Sequence, residues 1–116
     1  MKNYLEVEEE PAGVGGGEGV RVRWLISDAT GINFAMRRYE LSGAIPLHIH
    51  SHEHGVYVLE GQGEVTTSDE AVRRVGPGDF IFIGPNEPHG FKSAGKASLV
   101  FLCVVPRKRG ETKILP

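Results

Sequence analysis

The chain has 116 residues, of which 40% are hydrophobic and 24% are charged. These proportions are those of an ordinary soluble protein, so they exclude a disordered chain, and the length fits one domain with one core. The formal net charge of -2 gives no field that would attract nucleic acid, and no apolar stretch approaches the roughly twenty residues of a membrane span.

Residues 1–19 are predicted to form an N-terminal strand and a glycine-rich connector ahead of a single barrel domain at 20–116. Tyr4, Leu5 and Val7 are apolar among acidic neighbours, which favours a short strand. The glycines from Gly13 to Gly19 do not form a dinucleotide-binding fingerprint, because a strand pattern and not a helix follows them. Such a connector would let the first strand reach elsewhere, including a neighbouring subunit.

The remaining chain consists of short runs rich in β-branched and aromatic residues. The first run, Val20–Ile26, begins with the strict alternation of a half-buried strand. The further runs are Phe34–Leu41, Ala44–His50, Val56–Leu59, Gly63–Thr67, Ala71–Val75, Phe80–Ile83 and Leu99–Val105. Turn formers separate them at Gly43, Gly55, Gly61, Gly76–Gly78, Gly84–Asn86 and Ala94–Gly95. This rhythm predicts an all-β sandwich or barrel with little or no helix.

Cys103 is the only cysteine, which excludes an intrachain disulfide and a cysteine-based zinc site. The acidic start lacks the pattern of a secretory signal, so we expect a cytoplasmic protein. Near the other end, Arg107, Lys108 and Arg109 form a basic run that we interpret as a solvated end.

Four of the five histidines lie close together in the order His48, His50, His52 and His54, and the fifth is His89. On a strand, His48 and His50 point to one face with Cα atoms roughly 6.6 Å apart, so their imidazoles can bind a common ion. The pair by itself is weak evidence for a metal site, because two surface histidines at this spacing can also face water.

Two sequence motifs connect these histidines to a known family. Gly43, His48, His50 and Gly61 match the first motif of the cupins. Gly78, Asp79, Pro85 and His89 match the second motif. Over Val20–Pro106 the chain therefore resembles the cupins, and this resemblance implies a double-stranded β-helix, also called a jelly-roll barrel. The chain departs from the usual motifs at Ser93, where an asparagine is common, and Pro85 stands one place later than usual.

Within the cupins, the chain is most similar to the small single-domain members that bind manganese through four histidines. The position that carries a carboxylate ligand in most cupins is His54 here. We assign an exposed or supporting role to Glu53, the residue directly before it. The resemblance implies the metal ligands His48, His50, His54 and His89, whereas His52 falls in the bend between strands and is excluded. It also implies a homodimer, since several such proteins exchange an N-terminal strand.

One divalent metal ion per chain is expected. Imidazole also suits Fe, Ni, Cu and Zn, so manganese is favoured only by the resemblance. Four neutral ligands leave the ion its full double charge, which favours anionic ligands. Since the imidazoles must be unprotonated to bind, we expect the affinity to fall steeply below the ordinary histidine pKa of roughly 6.5. The alternative is a barrel whose metal site has decayed or only stabilises the fold.

Candidates for the wall of the substrate pocket come from the strands. They are Arg37, Arg38, Tyr57, Phe82, Phe91, Phe101 and Cys103. Cys103 shares strand parity with Phe101, so we expect it inside the barrel, as inert core or as a thiol that a redox metal could oxidise. One of the adjacent Arg37 and Arg38 is expected to point inward, where it would bind a substrate carboxylate or pair with a structural acid.

Three functions stay open from the sequence. The first is a Mn- or Fe-dependent oxidoreductase, a dioxygenase or oxidase, that acts on a small anionic or oxygen-bearing substrate. The second is a non-catalytic module that binds a metal and a small ligand. The third is a decarboxylase or isomerase, which the replacement of the usual carboxylate by His54 makes less similar to known members. The fold alone does not decide among them, since one barrel carries many reactions.

Overall fold

A computed structural model describes residues 1–12, 19–67, 69, 71–109 and 112–116. These residues contain one short 3-10 helix, Tyr4–Glu6, and a series of β-strands. The strands are β1 (Glu9–Pro11), β2 (Val20–Ile26), β3 (Phe34–Leu41), β4 (Ala44–His50), β5 (His54–Glu60), β6 (Gly63–Thr66), β7 (Val72–Val75), β8 (Phe80–Ile83), β9 (His89–Ser93), β10 (Leu99–Pro106) and β11 (Thr112–Ile114). Within the described ranges, no helix has the length and apolar character needed to cross a membrane.

The strands form two antiparallel sheets. One sheet has the order β1-β2-β3-β10-β5-β8, and the other has the order β11-β4-β9-β6-β7. The chain crosses repeatedly between the sheets, as when β4 in one sheet is followed by β5 in the other. The predicted all-β cupin barrel is confirmed.

The core lies between the inner faces of the two sheets. Along β10, which lies between β3 and β5, Phe101, Cys103 and Val105 are at most 2% exposed, whereas Val104 between them is 36% exposed. This alternation is the period-two pattern of a strand with one buried face. Other inward residues that complete the core include Val20, Ala35, Leu41, Val56, Val58, Val65, Ile83, Phe91 and Leu99.

All eight runs predicted as strands form strands, with bounds that differ by at most two residues. Two strands were not predicted, β9 and β11. The expected N-terminal strand forms at Glu9–Pro11, whereas Tyr4 and Leu5, from which it was predicted, lie in the 3-10 helix. One predicted turn position was wrong, because Gly55 lies inside β5, where it pairs with Val104 on one side and Phe82 on the other. A glycine is tolerated there because neighbouring strands hold its backbone on both sides.

The N-terminal segment supplies β1, the edge strand of the six-stranded sheet. The strand β1 pairs with β2 of the same chain, with Glu9 opposite Arg23 and Pro11 opposite Arg21. The predicted glycine-rich connector falls mostly at residues 13–18, which lie outside the described residues. Exchange of this strand between two subunits stays a prediction.

Candidate metal centre

Three strands bring the histidine side chains together inside the barrel. His48 and His50 lie on β4, and the pairing of β4 with β9 places His48 directly opposite His89. His54 begins β5 in the other sheet. These four histidines are between 1% and 7% exposed, so the rings are buried.

The rings are closely packed. Their centroids are 4.1 Å apart for His48 and His89, 4.9 Å for His48 and His50, and 4.0 Å for His50 and His54. Ring nitrogens of His48, His50 and His89 all lie within 4.8 Å of one another. This is near the separation of about 3 to 4 Å for two nitrogens that share one ion at roughly 2.1 Å.

Backbone carbonyls determine the tautomers of His48 and His89. Nδ1 of His48 lies 2.7 Å from the carbonyl oxygen of Pro46, and Nδ1 of His89 lies 2.8 Å from that of Glu87. A carbonyl only accepts, so Nδ1 carries the proton and Nε2 keeps its lone pair. Nε2 of His89 is buried and has no hydrogen-bond partner among the described residues. A metal ion would satisfy this atom.

His54 contacts two further groups. Its Nδ1 is 3.2 Å from the sulfur of Cys103, and its Nε2 is 2.9 Å from Nε2 of His52. If Nε2 of His54 is to bind a metal, Nδ1 must carry the proton and donate it to the sulfur. His52 lies in the bend as predicted, but its ring joins the cluster, and a second group of nitrogens within 4.8 Å consists of His50, His52 and His54.

Burial keeps the histidines neutral. The pKa is lowered to about 3 for His50 and to about 4 for His89, and desolvation by burial is the largest cause of both shifts. It also lowers the pKa of His48, His52 and His54, and the charge of Arg37 acts in the same direction at each of these three. Neutral imidazoles with free lone pairs are the donors that a divalent ion needs, so this cluster can hold a metal ion.

The cluster faces a cavity of about 290 Å³. Aromatic side chains and two arginines supply much of its wall: Trp24, Arg37, Tyr39, Phe91, Phe101 and Arg109. Cys103 also lines it. Among the described residues that line the cavity, Glu10 is the one carboxylate, and it is exposed.

Of the two adjacent arginines, Arg37 points into the cavity. Its guanidinium donates hydrogen bonds to the hydroxyl of Tyr39 at 2.8 Å and to the sulfur of Cys103 at 3.2 Å. Arg38 lies on the other face of the sheet, where its guanidinium stacks over the ring of Tyr4 at 4.0 Å. Arg38 is therefore not a pocket residue, which corrects one candidate.

Two aromatic candidates are also corrected. Tyr57 is 48% exposed and Phe82 is 64% exposed, and neither lines the cavity. The reason is strand parity, because His54, Val56 and Val58 occupy the inner face of β5 and leave Tyr57 outside. Phe82 pairs with Gly55, which shares the outer parity of β5. Phe91 and Phe101, in contrast, line the cavity as Arg37 and Cys103 do.

Arg109 is a cavity residue that the sequence did not indicate, and the interpretation of its run as a solvated end is wrong at this position. Its guanidinium forms two hydrogen bonds with Asp28, at 3.0 and 2.6 Å, and stacks over Trp24 at 5.5 Å. The hydrogen bond from Arg109 lowers the pKa of the Asp28 carboxyl. Asp28 is 81 residues away in the chain, so no local pattern signals this pair.

Comparison with known proteins agrees with the fold. A model of the cupin domain family matches residues 36–105, so the chain belongs to the cupin family. The structure is similar to that of the polyketide cyclase RemF from Streptomyces resistomycificus, with a TM-score of 0.93 and 32% identity, covering 100% of this chain and 84% of that protein.

Two curated relatives match over a smaller share of each chain. A 1-methylthio-D-xylulose 5-phosphate methylsulfurylase from Rhodospirillum rubrum is 30% identical over 94 residues, which cover 79% of this chain and 60% of the relative. An uncharacterized protein of Methanocaldococcus jannaschii is 38% identical over 72 residues, which cover 58% of this chain and 57% of the relative. The chain thus spans about three fifths of the length of both relatives.

Proposed function

We propose that this protein is a metal-dependent enzyme that acts on a small, anionic, oxygen-bearing substrate, with His48, His50, His54 and His89 as the metal ligands. The observation that carries the proposal is the buried set of neutral imidazoles facing the cavity, with Nε2 of His89 unpartnered among the described residues. A bound divalent ion would supply Lewis acidity to the oxygen atoms of a substrate.

The cavity residues suit an anionic substrate. Arg37 contributes a positive charge, whereas the charge of Arg109 is balanced by Asp28. The apolar wall of Phe91 and Phe101 lowers the local polarity, which strengthens electrostatic interactions in the cavity. The name of the relative from Rhodospirillum rubrum refers to a ketose phosphate, which is also an oxygen-bearing anion.

For the reaction class, we propose a ring closure of a compound with several carbonyl groups. Support comes from the similarity to the polyketide cyclase RemF, which extends over all of this chain. Such a reaction joins two carbons of one molecule and releases water, so it consumes no oxidant. The cavity residues would fold the substrate and hold its carbonyl oxygens near the histidines.

The second candidate is the oxidoreductase, a dioxygenase or oxidase. It is supported by the donor set, because imidazole suits redox-active Fe and Cu as well as zinc. A decarboxylase or isomerase would use the same site and give different products. A non-catalytic binding module would use it and give no product.

One experiment separates these candidates. Protein loaded with zinc, which has no redox chemistry, and protein loaded with manganese or iron are incubated with linear tri- and tetraketo acids, with and without dioxygen. A cyclase forms a product that has lost water with every metal and without dioxygen, as measured by mass spectrometry. His89→Ala should lose this activity, and Arg38→Gln, on the outer face, should keep it.

The other outcomes overturn the proposed ring closure. Oxygen uptake that requires manganese or iron would identify the oxidoreductase, and loss of carbon dioxide would identify the decarboxylase. A stable adduct without any turnover would identify the binding module.

A further inference from the structure

Arg37 has hydrogen-bonding capacity that the fold does not use. A guanidinium has five N–H groups. Two of them are used in the hydrogen bonds to Tyr39 and Cys103. Nε of Arg37 is buried and has no hydrogen-bond partner among the described residues. The guanidinium therefore has N–H donors, beyond those to Tyr39 and Cys103, that an anionic ligand in the cavity could use.

The charge of Arg37 is also unbalanced. The ion pairs among the described residues join Arg21 and Arg23 to Glu9, and Arg109 to Asp28. None of them includes Arg37, so the sequence-based alternative of a pairing with a structural acid does not apply. A half-buried cation without a carboxylate partner favours the binding of an anion.

The surroundings of Arg37 are aromatic. Its guanidinium lies over the rings of Trp24, at 5.2 Å, and Tyr39, at 5.1 Å. The ring of Phe101 stacks with those of Tyr39, at 5.2 Å, and Phe91, at 5.0 Å. Because Phe91 and Phe101 both line the cavity, a planar ligand there would pack against aromatic rings.

Arg37 lies close to the histidine cluster. Its Nη2 is 3.2 Å from the sulfur of Cys103, and this sulfur is 3.2 Å from Nδ1 of His54. One small molecule in a cavity of about 290 Å³ can therefore reach the histidines and Arg37 together.

We propose that Arg37 binds the carboxylate of an aromatic or similarly planar ligand, whose ring packs against Phe91 and Phe101. This deepens the proposed function, on which it rests for the presence of a substrate in the cavity. Arg37 thus determines specificity, because it distinguishes a carboxylate from a neutral group of the same shape.

The test uses benzoate and benzamide, which have the same shape and differ in charge. Trp24 is the only tryptophan of the chain and lines the cavity beside Arg37, so its fluorescence reports binding. Both ligands are titrated at about pH 8, where the histidines are neutral, into zinc-loaded and metal-free protein. The variants are Arg37→Gln, Arg37→Lys and, as the matched control on the outer face, Arg38→Gln.

We expect Arg37→Gln to lower the affinity for benzoate by about tenfold or more in both forms of the protein. Its affinity for benzamide should stay within about twofold of the wild type, as expected for the loss of a charged contact alone. Arg37→Lys keeps the charge but loses the planar fork, so its affinity for benzoate should be intermediate. Arg38→Gln should bind both ligands as the wild type does.

Equal affinity of the wild type and Arg37→Gln for benzoate would overturn the inference. So would an equal loss for both ligands, which would indicate a structural role, or a failure of the wild type to bind benzoate. If Arg37→Gln does not fold, as judged by circular dichroism, Arg37→Lys decides. The metal-free titration needs no metal chemistry, so the ring-closure assay and this test can fail independently.

Discussion

Two backbone carbonyls hold the protons of the two histidines that face each other across β4 and β9. In each case the acceptor belongs to the residue two positions earlier, Pro46 for His48 and Glu87 for His89. Because the acceptor is backbone, no side-chain substitution removes it, and the tautomer follows from the conformation of the strand. The nitrogen that can bind a metal is thereby fixed before any ion arrives.

The buried histidines make the stability of the metal-free protein depend on pH. In the unfolded chain they take up protons near a pKa of roughly 6.5, whereas in the folded chain the pKa is about 3 for His50 and about 4 for His89. Between these values the unfolded state binds more protons, so the free energy of unfolding rises with pH. We expect it to fall steeply from about pH 6.5 to about pH 4 in urea titrations of metal-free protein.

The same pKa values imply a different pH dependence of metal binding from the one expected from the sequence. In the folded protein, protons compete for His89 only near pH 4 and for His50 only near pH 3. At about pH 5.5 the metal affinity should therefore stay close to its value at neutral pH. The sequence alone suggests instead that the affinity falls once the pH drops below about 6.5. A competition titration measures this. A steep loss of affinity already at about pH 6 in folded protein would contradict the burial of the cluster.

At the scale of elements, the turn between β5 and β6 depends on Gly61. Its φ is +81°, and a Cβ at this position would overlap the carbonyl oxygen of Ser98. We expect Gly61→Ala to lower the free energy of unfolding by about 1 to 3 kcal/mol, as measured by urea titration. The control is Gly55→Ala, because a Cβ at Gly55 would meet nothing within 4 Å. Equal stability of both variants would contradict this account of the turn.

The sequence predicts the elements best where the strand pattern is strong. The run Val20–Ile26 alternates and is rich in β-branched residues, so its strand is evident. In contrast, β9 reads His-Gly-Phe-Lys-Ser and has little intrinsic preference for a strand. It forms because β4 and β6 pair with it on both sides. The short β11 likewise depends on its pairing with β4, and a single sequence does not reveal such partners.

For the site, the motif residues are predictable from the sequence and several wall residues are not. The resemblance to the cupin motifs implies His48, His50, His54 and His89 as ligands. The orientation of His54 could also have excluded Tyr57, since two residues of opposite parity on one strand cannot share a face. The pairing of Arg109 with Asp28 joins distant parts of the chain, and only the fold reveals it.

At the scale of the whole molecule, a homodimer remains a prediction. The outer face of the six-stranded sheet exposes Phe80 by 79%, Phe82 by 64% and Tyr57 by 48%, and such apolar patches are typical of protein interfaces. We expect sedimentation equilibrium to give twice the chain mass, and Phe80→Lys combined with Phe82→Lys to give a monomer. A double variant that stays dimeric would favour exchange of the N-terminal strand, and a monomeric wild type would contradict the prediction.

The central claim is that one metal ion binds through four histidines that include His54 and exclude His52. The most direct test is the zinc dissociation constant of three proteins, the wild type, His54→Ala and His52→Ala, measured by competition with a chelator. Loss of a ligand should weaken binding by about tenfold or more in His54→Ala, while His52→Ala should stay within about twofold of the wild type. Equal affinities of all three proteins, or a loss in His52→Ala as large as that in His54→Ala, would contradict the claim.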